Sequence, residues 1–483
     1  MTNTISGVLH TDDWRGLALV AAGIVISCLS YASFQPAIIT LTLLLVGWGL
    51  LSLPVIGGAA ERRAFFLVFA AGTLWAGIAA VFANQLADFG QNHSDPAFFF
   101  AVAADWNSSL NVYAANDILE STGAVVLWNR AYDLAQALGL APGRYIGIGV
   151  NGLLVGLAAA LAIKSARSMY GDDWWRLRLL AWLLAACPMF WLFSSIFLRE
   201  AFILLFVVSL GWLWVRLLAR FSTSNLAVVG VASVLALYGF IYLRAEFVIV
   251  PIAMGFAGGT ALLLAPNVES RPLLRRTVGL FICIVAAFTS AFVLRDTFVS
   301  LSEASARYAD LAVKDLMAAG GALDGMIEDQ VSQSLGMKLV VGQPLYVRAV
   351  LAPVYLWLAP IPIWAGFTLS SAYFLMKSLH TVFNYFLIAA LLVVGWRLLR
   401  GYRSIEPVQI YLVLCTLGFS LSVAITSLES RHLGVFLTLP LLLVTGPDWR
   451  LPANRLALRN TSIAVLSVMV LIHLAWFAIK AVS

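Results

Sequence analysis

Apolar residues run along this chain in long blocks separated by short polar turns, with no alternating rhythm that would suggest strands. A helix needs about 20 apolar residues to cross the hydrocarbon core of a bilayer. Blocks of that order lie near 14–34, 36–57, 64–84, 144–166, 176–195, 198–220, 225–242, 247–265, 275–294, 374–396, 406–426, 431–446 and 461–480. The pattern predicts an all-α polytopic membrane protein of about 13 transmembrane helices, forming a single transmembrane domain over 1–483. Met1–Trp14 is polar, with Asp12 and Asp13, and no convincing small-residue cleavage site follows, so the first span is expected to be retained.

One block is different. Segment 346–369 is long enough to cross, yet it carries Pro353, Pro360 and Pro362, and proline breaks the helical hydrogen-bond ladder. Non-helical backbone at membrane depth is tolerated where it is buried in protein or lines a cavity. The segment is therefore expected to be a re-entrant or interfacial element entered from outside; as a full span it would move Arg397, Arg400 and Arg403 to the outer face.

Two long polar stretches, 85–143 and 295–345, become extracytoplasmic loops in this scheme. In the first, Ser94-Asp95-Pro96 is a helix-start signal with proline in the first turn. Phe98 to Trp106 is then expected to form a short surface helix. Ala124–Ala141 sets Trp128, Tyr132, Leu134 and Leu138 against Asn129, Arg130, Asp133 and Gln136, which predicts a second. The other loop mixes acids and bases around apolar positions at helical spacing, and is expected to fold as helices packed over the bundle.

Composition agrees: 61% of residues are hydrophobic and 11% charged, with mean hydropathy +0.92, against roughly 25% charged in a soluble domain. The net charge of +6 does not gather into one patch, so a nucleic-acid partner is not expected. Instead Arg62-Arg63, Lys164, Arg167, Arg176, Arg178, Arg216, Arg220, Arg271, Arg275, Arg276, Arg397, Arg400, Arg403, Arg450, Arg455 and Arg459 fall in alternate loops. The positive-inside rule makes those loops cytoplasmic, with the amino terminus inside and the carboxy terminus out. Cys28, Cys187, Cys283 and Cys415 stand singly in apolar stretches and read as packing residues. Asp172-Asp173 lies on the cytoplasmic side and reads as a solvated turn.

The same topology collects costly charge on the outer face. Arg199-Glu200, Arg244-Ala245-Glu246 and Glu429-Ser430-Arg431-His432 each sit between apolar helices, and Arg348 stands at the mouth of the proline-rich element. Guanidinium groups bind phosphate bidentately, and an aspartate near the aqueous surface can deprotonate a hydroxyl. Asp95 is the first candidate base and Asp88 the second. Together these suit transfer of a sugar from a lipid-phosphate donor to an acceptor hydroxyl. Each residue also has a structural reading: Asp95 as an N-cap, Arg199-Glu200 and Arg244 with Glu246 as ion pairs at helix ends, Arg348 as a snorkelling side chain, and His432 as an interface residue. Asp88 and Asp95 could supply oxygen ligands to a divalent metal, although no further carboxylate is placed with them.

At these residues the chain resembles the integral-membrane glycosyltransferases of the GT-C superfamily and the related bacterial polysaccharide polymerases. Ser94 to Ala101 is similar to that family's acidic residue and aromatic cluster in the first large outer loop. Pro188 to Glu200 resembles its basic-acidic turn, and Arg431-His432 followed by Pro440 resembles its late Arg-Tyr segment, with histidine in place of tyrosine. Three spans precede the acidic loop where the family usually has one. The resemblance implies a polyprenyl-phosphate-linked sugar donor, a glycan or lipid-linked acceptor, inverting attack with Asp95 as general base, and a bacterial inner-membrane protein whose active site faces the periplasm. A lipid-linked oligosaccharide polymerase is the alternative within that chemistry. A lipid-linked glycan flippase or transporter, and a non-catalytic scaffold subunit, are the alternatives from other classes; span centres nearly free of charge weigh against an ion-coupled carrier.

Overall fold

The computed structural model describes residues 5–53, 57–86, 94–104, 122–264, 273–291, 345–359, 362–367, 371–401, 405–426 and 429–482. No strand occurs among them. In chain order the helices are α1 (Ile5–Tyr31), α2 (Gln35–Ser52), α3 (Ala59–Gln85), α4 (Ser94–Ala104), α5 (Thr122–Ala137), α6 (Arg144–Tyr170), α7 (Trp174–Ala185), α8 (Pro188–Ser195), α9 (Glu200–Ala219), α10 (Thr223–Leu243) and α11 (Ile249–Leu264). They continue with α12 (Leu273–Ala291), α13 (Leu345–Leu358), α14 (Ala372–Arg400), α15 (Pro407–Thr426), α16 (Ser430–Gly434), α17 (Thr438–Val444) and α18 (Pro452–Val482).

Ten of these helices are long and apolar enough to cross a membrane, or eleven if α7 and α8, bent by 54° at their junction, form one span. The architecture is that of a polytopic helical membrane protein. The expectation of thirteen regular spans is not met among the described residues, and the shortfall has local causes. Helix α11 has only 16 residues. Segment 431–446 is not one helix but the short pair α16 and α17. Pro440, third in α17, has no N–H to donate and its ring crowds the carbonyl four residues back, so a helix begun at Ser430 loses its ladder there, and the chain turns at 435–437 before α17.

The bundle is layered by burial. In α3, α6 and α9, 67% of the apolar window is buried inside the protein, against 22% in α1, α2 and α10, 17% in α12 and 11% in α18. Outward apolar side chains cost little beside lipid tails, so the outer helices need only one packed face. Close approach relies on small residues: a Cβ on Gly23 of α1 would lie 2.4 Å from the Thr73 carbonyl oxygen of α3. Helix α6 buries Ala158, Ala159, Ala160, Ala162 and Ala166 in the same way.

Helices α4 and α5 pack together at one end of the bundle. The start signal places α4 four residues earlier than expected, at Ser94, with Pro96 in the first turn. In α5, Trp128 and Tyr132 are fully buried while Leu134, and Leu138 just past the helix end, are exposed, so its apolar face is rotated from the one expected. Trp128 Nε1 donates to Asn151 Oδ1 of α6 at 3.0 Å, and Asn129 Nδ2 donates to the Ala103 carbonyl of α4 at 3.1 Å. Of the loop 295–345, all but the final residue lies outside the described residues.

The proline-rich segment is helical only as far as Leu358, and a short 3-10 turn at Ile363–Gly366 precedes α14. A polar stripe on α14 satisfies the broken backbone. Asn384 Nδ2 donates to the Trp357 carbonyl at 3.1 Å, Thr381 Oγ1 donates to the Ala359 carbonyl, and Gly366 N donates to Ser378 Oγ at 3.1 Å. Positions 378, 381 and 384 share one helical face, which supplies the internal partners that lipid cannot.

Candidate functional site

The three charged turns meet. Arg199 caps the start of α9, Arg244 ends α10, and Glu429 precedes α16. A buried amide positions the first turn: Asn151 Nδ2 donates to the Leu198 carbonyl at 2.9 Å and the Ile196 carbonyl at 3.3 Å. These carbonyls belong to the junction between α8 and α9. The bond therefore presents Glu200 as the first residue of α9, where a carboxylate suits the positive end of the helix dipole.

Glu200 is the shared counter-charge. Its side chain is 2% exposed, and Oε1 lies 3.6 Å from Arg244 Nη1, 3.6 Å from Arg431 Nε and 3.7 Å from His432 Nε2. Oε2 is buried with no hydrogen-bond donor among the described residues. Arg244 Nη1 stands 2.7 Å from His432 Nε2. Arginine has no acceptor, so the ring nitrogen accepts and His432 is neutral, with its proton on Nδ1.

A second carboxylate adjoins the first group. Glu429 Oε1 accepts from Lys377 Nζ at 2.8 Å and from the Tyr373 hydroxyl at 2.8 Å. Tyr373 and Lys377 are one turn apart on α14 and approach the same oxygen. Burial raises the Glu429 pKa, but Lys377 and Arg431 outweigh it and hold the carboxyl well below the usual carboxylate range. Arg199, Arg244, Arg431 and Lys377 thus gather around Glu200 and Glu429 from four different helix ends or turns.

Aromatic rings line the cluster. The Arg199 guanidinium lies 5.6 Å from the Phe99 ring centroid on α4, and Arg244 lies 5.7 Å from Phe247, distances at which a cation is drawn to a ring face. Phe247 stacks on Phe436 at 5.9 Å, and Phe436 on Phe419 at 4.0 Å. This apolar layer lowers the local dielectric, which strengthens every charge interaction near it.

Of the residues singled out from sequence, Arg199, Glu200, Arg244, Arg431 and His432 are brought together at one end of the bundle. Asp95 lies in the first turn of α4, one helical turn before Phe99, so its backbone is within about 6 Å along the helix axis of the residue beneath Arg199. The side chains of Asp95, Glu246 and Arg348 lie outside the described residues, as does all of Asp88. Among the described residues no group of three or more His, Cys, Asp or Glu is arranged to hold a metal.

Sequence reasoning missed Asn151, Tyr373 and Lys377. Asn151 and Lys377 each carry the signal of a polar side chain within an apolar helix, where it needs a partner. The cysteines are all unpaired. Asp173 caps α7 by accepting from Trp175 N at 3.2 Å, while Asp172 pairs with Arg167 at 2.9 Å, so the acidic pair is a turn as expected. No protein-family model matches the chain, and no curated protein or solved structure matches it.

Proposed function

We propose that the cationic cluster receives the phosphate of a polyprenyl-linked sugar donor, and that the protein transfers that sugar on the extracytoplasmic side of a bacterial inner membrane in cell-envelope glycan assembly. The observation that carries this reading is the convergence of Arg244 and Arg431 on Glu200 and of Lys377 on Glu429, which brings three cationic side chains from separate helix ends to one place. Paired arginines are suited to phosphate oxygens, and a partly desolvated site strengthens their pull. Ten or more apolar helices provide the lipid setting such a donor needs. The apolar proline-rich segment that begins with α13 offers a surface against which an isoprenoid can lie.

In this scheme Asp95 takes the proton from the acceptor hydroxyl as its oxygen attacks the anomeric carbon. The bond from that carbon to the phosphate oxygen breaks, the configuration inverts, and polyprenyl phosphate leaves with its charge held by Arg199, Arg244 and Arg431. Glu200 and His432 orient Arg244, and Glu429 orients Lys377. The count of thirteen membrane passages belongs to this proposal: α7 with α8, α11, and α16 with α17 would each make one passage beside the ten long helices.

The test is a single-turnover assay with radiolabelled polyprenyl-phosphate sugar in nanodiscs. Asp95→Asn is expected to abolish glycan product with donor binding intact, whereas Arg199→Ala and Arg431→Ala should each weaken donor binding. Full turnover by Asp95→Asn would remove the base, and unchanged donor affinity in both arginine variants would remove the phosphate site. Donor movement across the bilayer without bond cleavage would instead identify a flippase.

A further inference from the structure

The opposite end of the bundle carries a second basic feature. The last turn of α14 bears Arg397 and Arg400, and α18 runs beside it. Between them lies a cleft of about 590 Å³ whose polar lining is Arg397, Arg400, Asn460 and Thr461, and whose apolar lining includes Leu392 and Trp396.

The two arginines are held differently. Arg397 donates to Asn454 Oδ1, and buried Asn454 is itself fixed by donating to the Asp448 carbonyl at 2.6 Å. Arg400 lies over the Trp396 ring at 4.5 Å. Neither makes an ion pair among the described residues, whereas the nearby acid Asp448 is already paired with Arg450 at 2.9 Å. Two guanidinium groups thus share a cleft with two hydrogen-bonding side chains and no carboxylate.

Below the arginines the surface is apolar: Leu392 is 55% exposed and Trp396 57%. A ligand matched to this cleft has an anionic head at Arg397 and Arg400 and an apolar tail along α14. The positive-inside rule puts this end at the cytoplasmic leaflet, where anionic phospholipids give the membrane its negative surface potential.

We infer that the cleft between α14 and α18 is a binding site for an anionic phospholipid, its phosphate held by Arg397 and Arg400 and its acyl chains lying against Leu392 and Trp396. The site is separate from the cluster around Glu200 and stands whether or not that cluster handles a lipid phosphate.

The experiment uses the full chain purified in neutral detergent and titrated with phosphatidylglycerol, with phosphatidylcholine of the same acyl chains, or with inorganic phosphate. Bound lipid is counted by native mass spectrometry, and Tm is followed in parallel. Phosphatidylglycerol is expected to bind and raise Tm, while the other two do neither. Each arginine changed to Gln should weaken that binding about fivefold, and both together about thirtyfold. Because Arg397 also touches Asn454, Arg400→Gln, which removes only a side chain stacked on Trp396, keeps the test independent of folding. Arg62→Gln, a basic change at the same end but outside the cleft, should leave affinity unchanged. Equal binding of phosphatidylcholine, equal stabilisation by inorganic phosphate, undiminished binding in Arg400→Gln, or an equal loss in Arg62→Gln would each overturn the assignment.

Discussion

Replacing Glu200 by Gln tests what joins the three turns. The substitution preserves volume and leaves no cavity, so its effect is electrical. In the wild type Oε1 stands 3.6 Å from both Arg244 Nη1 and Arg431 Nε. At an effective dielectric of about 20, each pair is worth roughly 5 kcal/mol of gross attraction. Desolvating the carboxylate offsets several kcal/mol of that total, and removing one partner of a buried ion pair typically costs about 3–5 kcal/mol. The variant should therefore lose stability on that order, because two guanidinium groups remain close together without their shared anion.

Reversible unfolding in mixed micelles, titrated with SDS, measures the loss. An added short-chain prenyl phosphate should restore part of it in the variant by supplying the missing negative charge, through linkage of binding to the folded state. Glu200→Ala should be worse than Glu200→Gln, since it also opens a cavity. A loss below about 1 kcal/mol, the range of an exposed ion pair, would refute the reasoning, because Glu200 would then not be the counter-charge on which the turns converge.

The acid limb of the stability profile should report Glu429. Its folded pKa lies below its unfolded value, so its contribution is complete above the unfolded pKa near 4.5 and is lost as pH falls further. Glu429→Gln should flatten this limb, and an unchanged profile would contradict a carboxylate held by Lys377 and Arg431. Asn384→Leu removes the donor to the Trp357 carbonyl and should cost about 1–3 kcal/mol in the same unfolding assay; wild-type stability would mean that the α14 stripe does not hold the helix break. Single cysteines introduced over 88–106 in a cysteine-free background should react with a membrane-impermeant maleimide added outside; labelling only from the cytoplasmic side would invert the topology.

Much of this protein is local in its chain. Crossing hydrocarbon requires a contiguous apolar block, and charge is expensive within that block, so the helical membrane class and the position of every charged turn are visible residue by residue. Pro360 and Pro362 announced an interrupted segment because proline's missing donor is a property of the residue itself, whereas Pro353, expected to break the helix as well, lies inside α13. Regularity was less visible: α11 is short, and 431–446 divides before Pro440. The rotated face of α5 was not legible either: Trp128 and Tyr132 are buried as expected, but Leu134 is exposed and Asn129, expected on the polar side, is buried by its bond to the Ala103 carbonyl of α4.

The pairing of charges belonged to tertiary structure alone. From sequence, Glu200 was the neighbour of Arg199 and Arg244 the neighbour of Glu246. In the folded chain Glu200 also faces Arg244, Arg431 and His432, and Arg244 meets a histidine 188 residues away. Lys377 and Tyr373 join through Glu429. Sequence determined that these groups sit at helix ends, because hydrophobicity acts along the chain. Packing decided which ends touch, because Coulomb and hydrogen-bond partners are chosen by distances of a few ångströms in space.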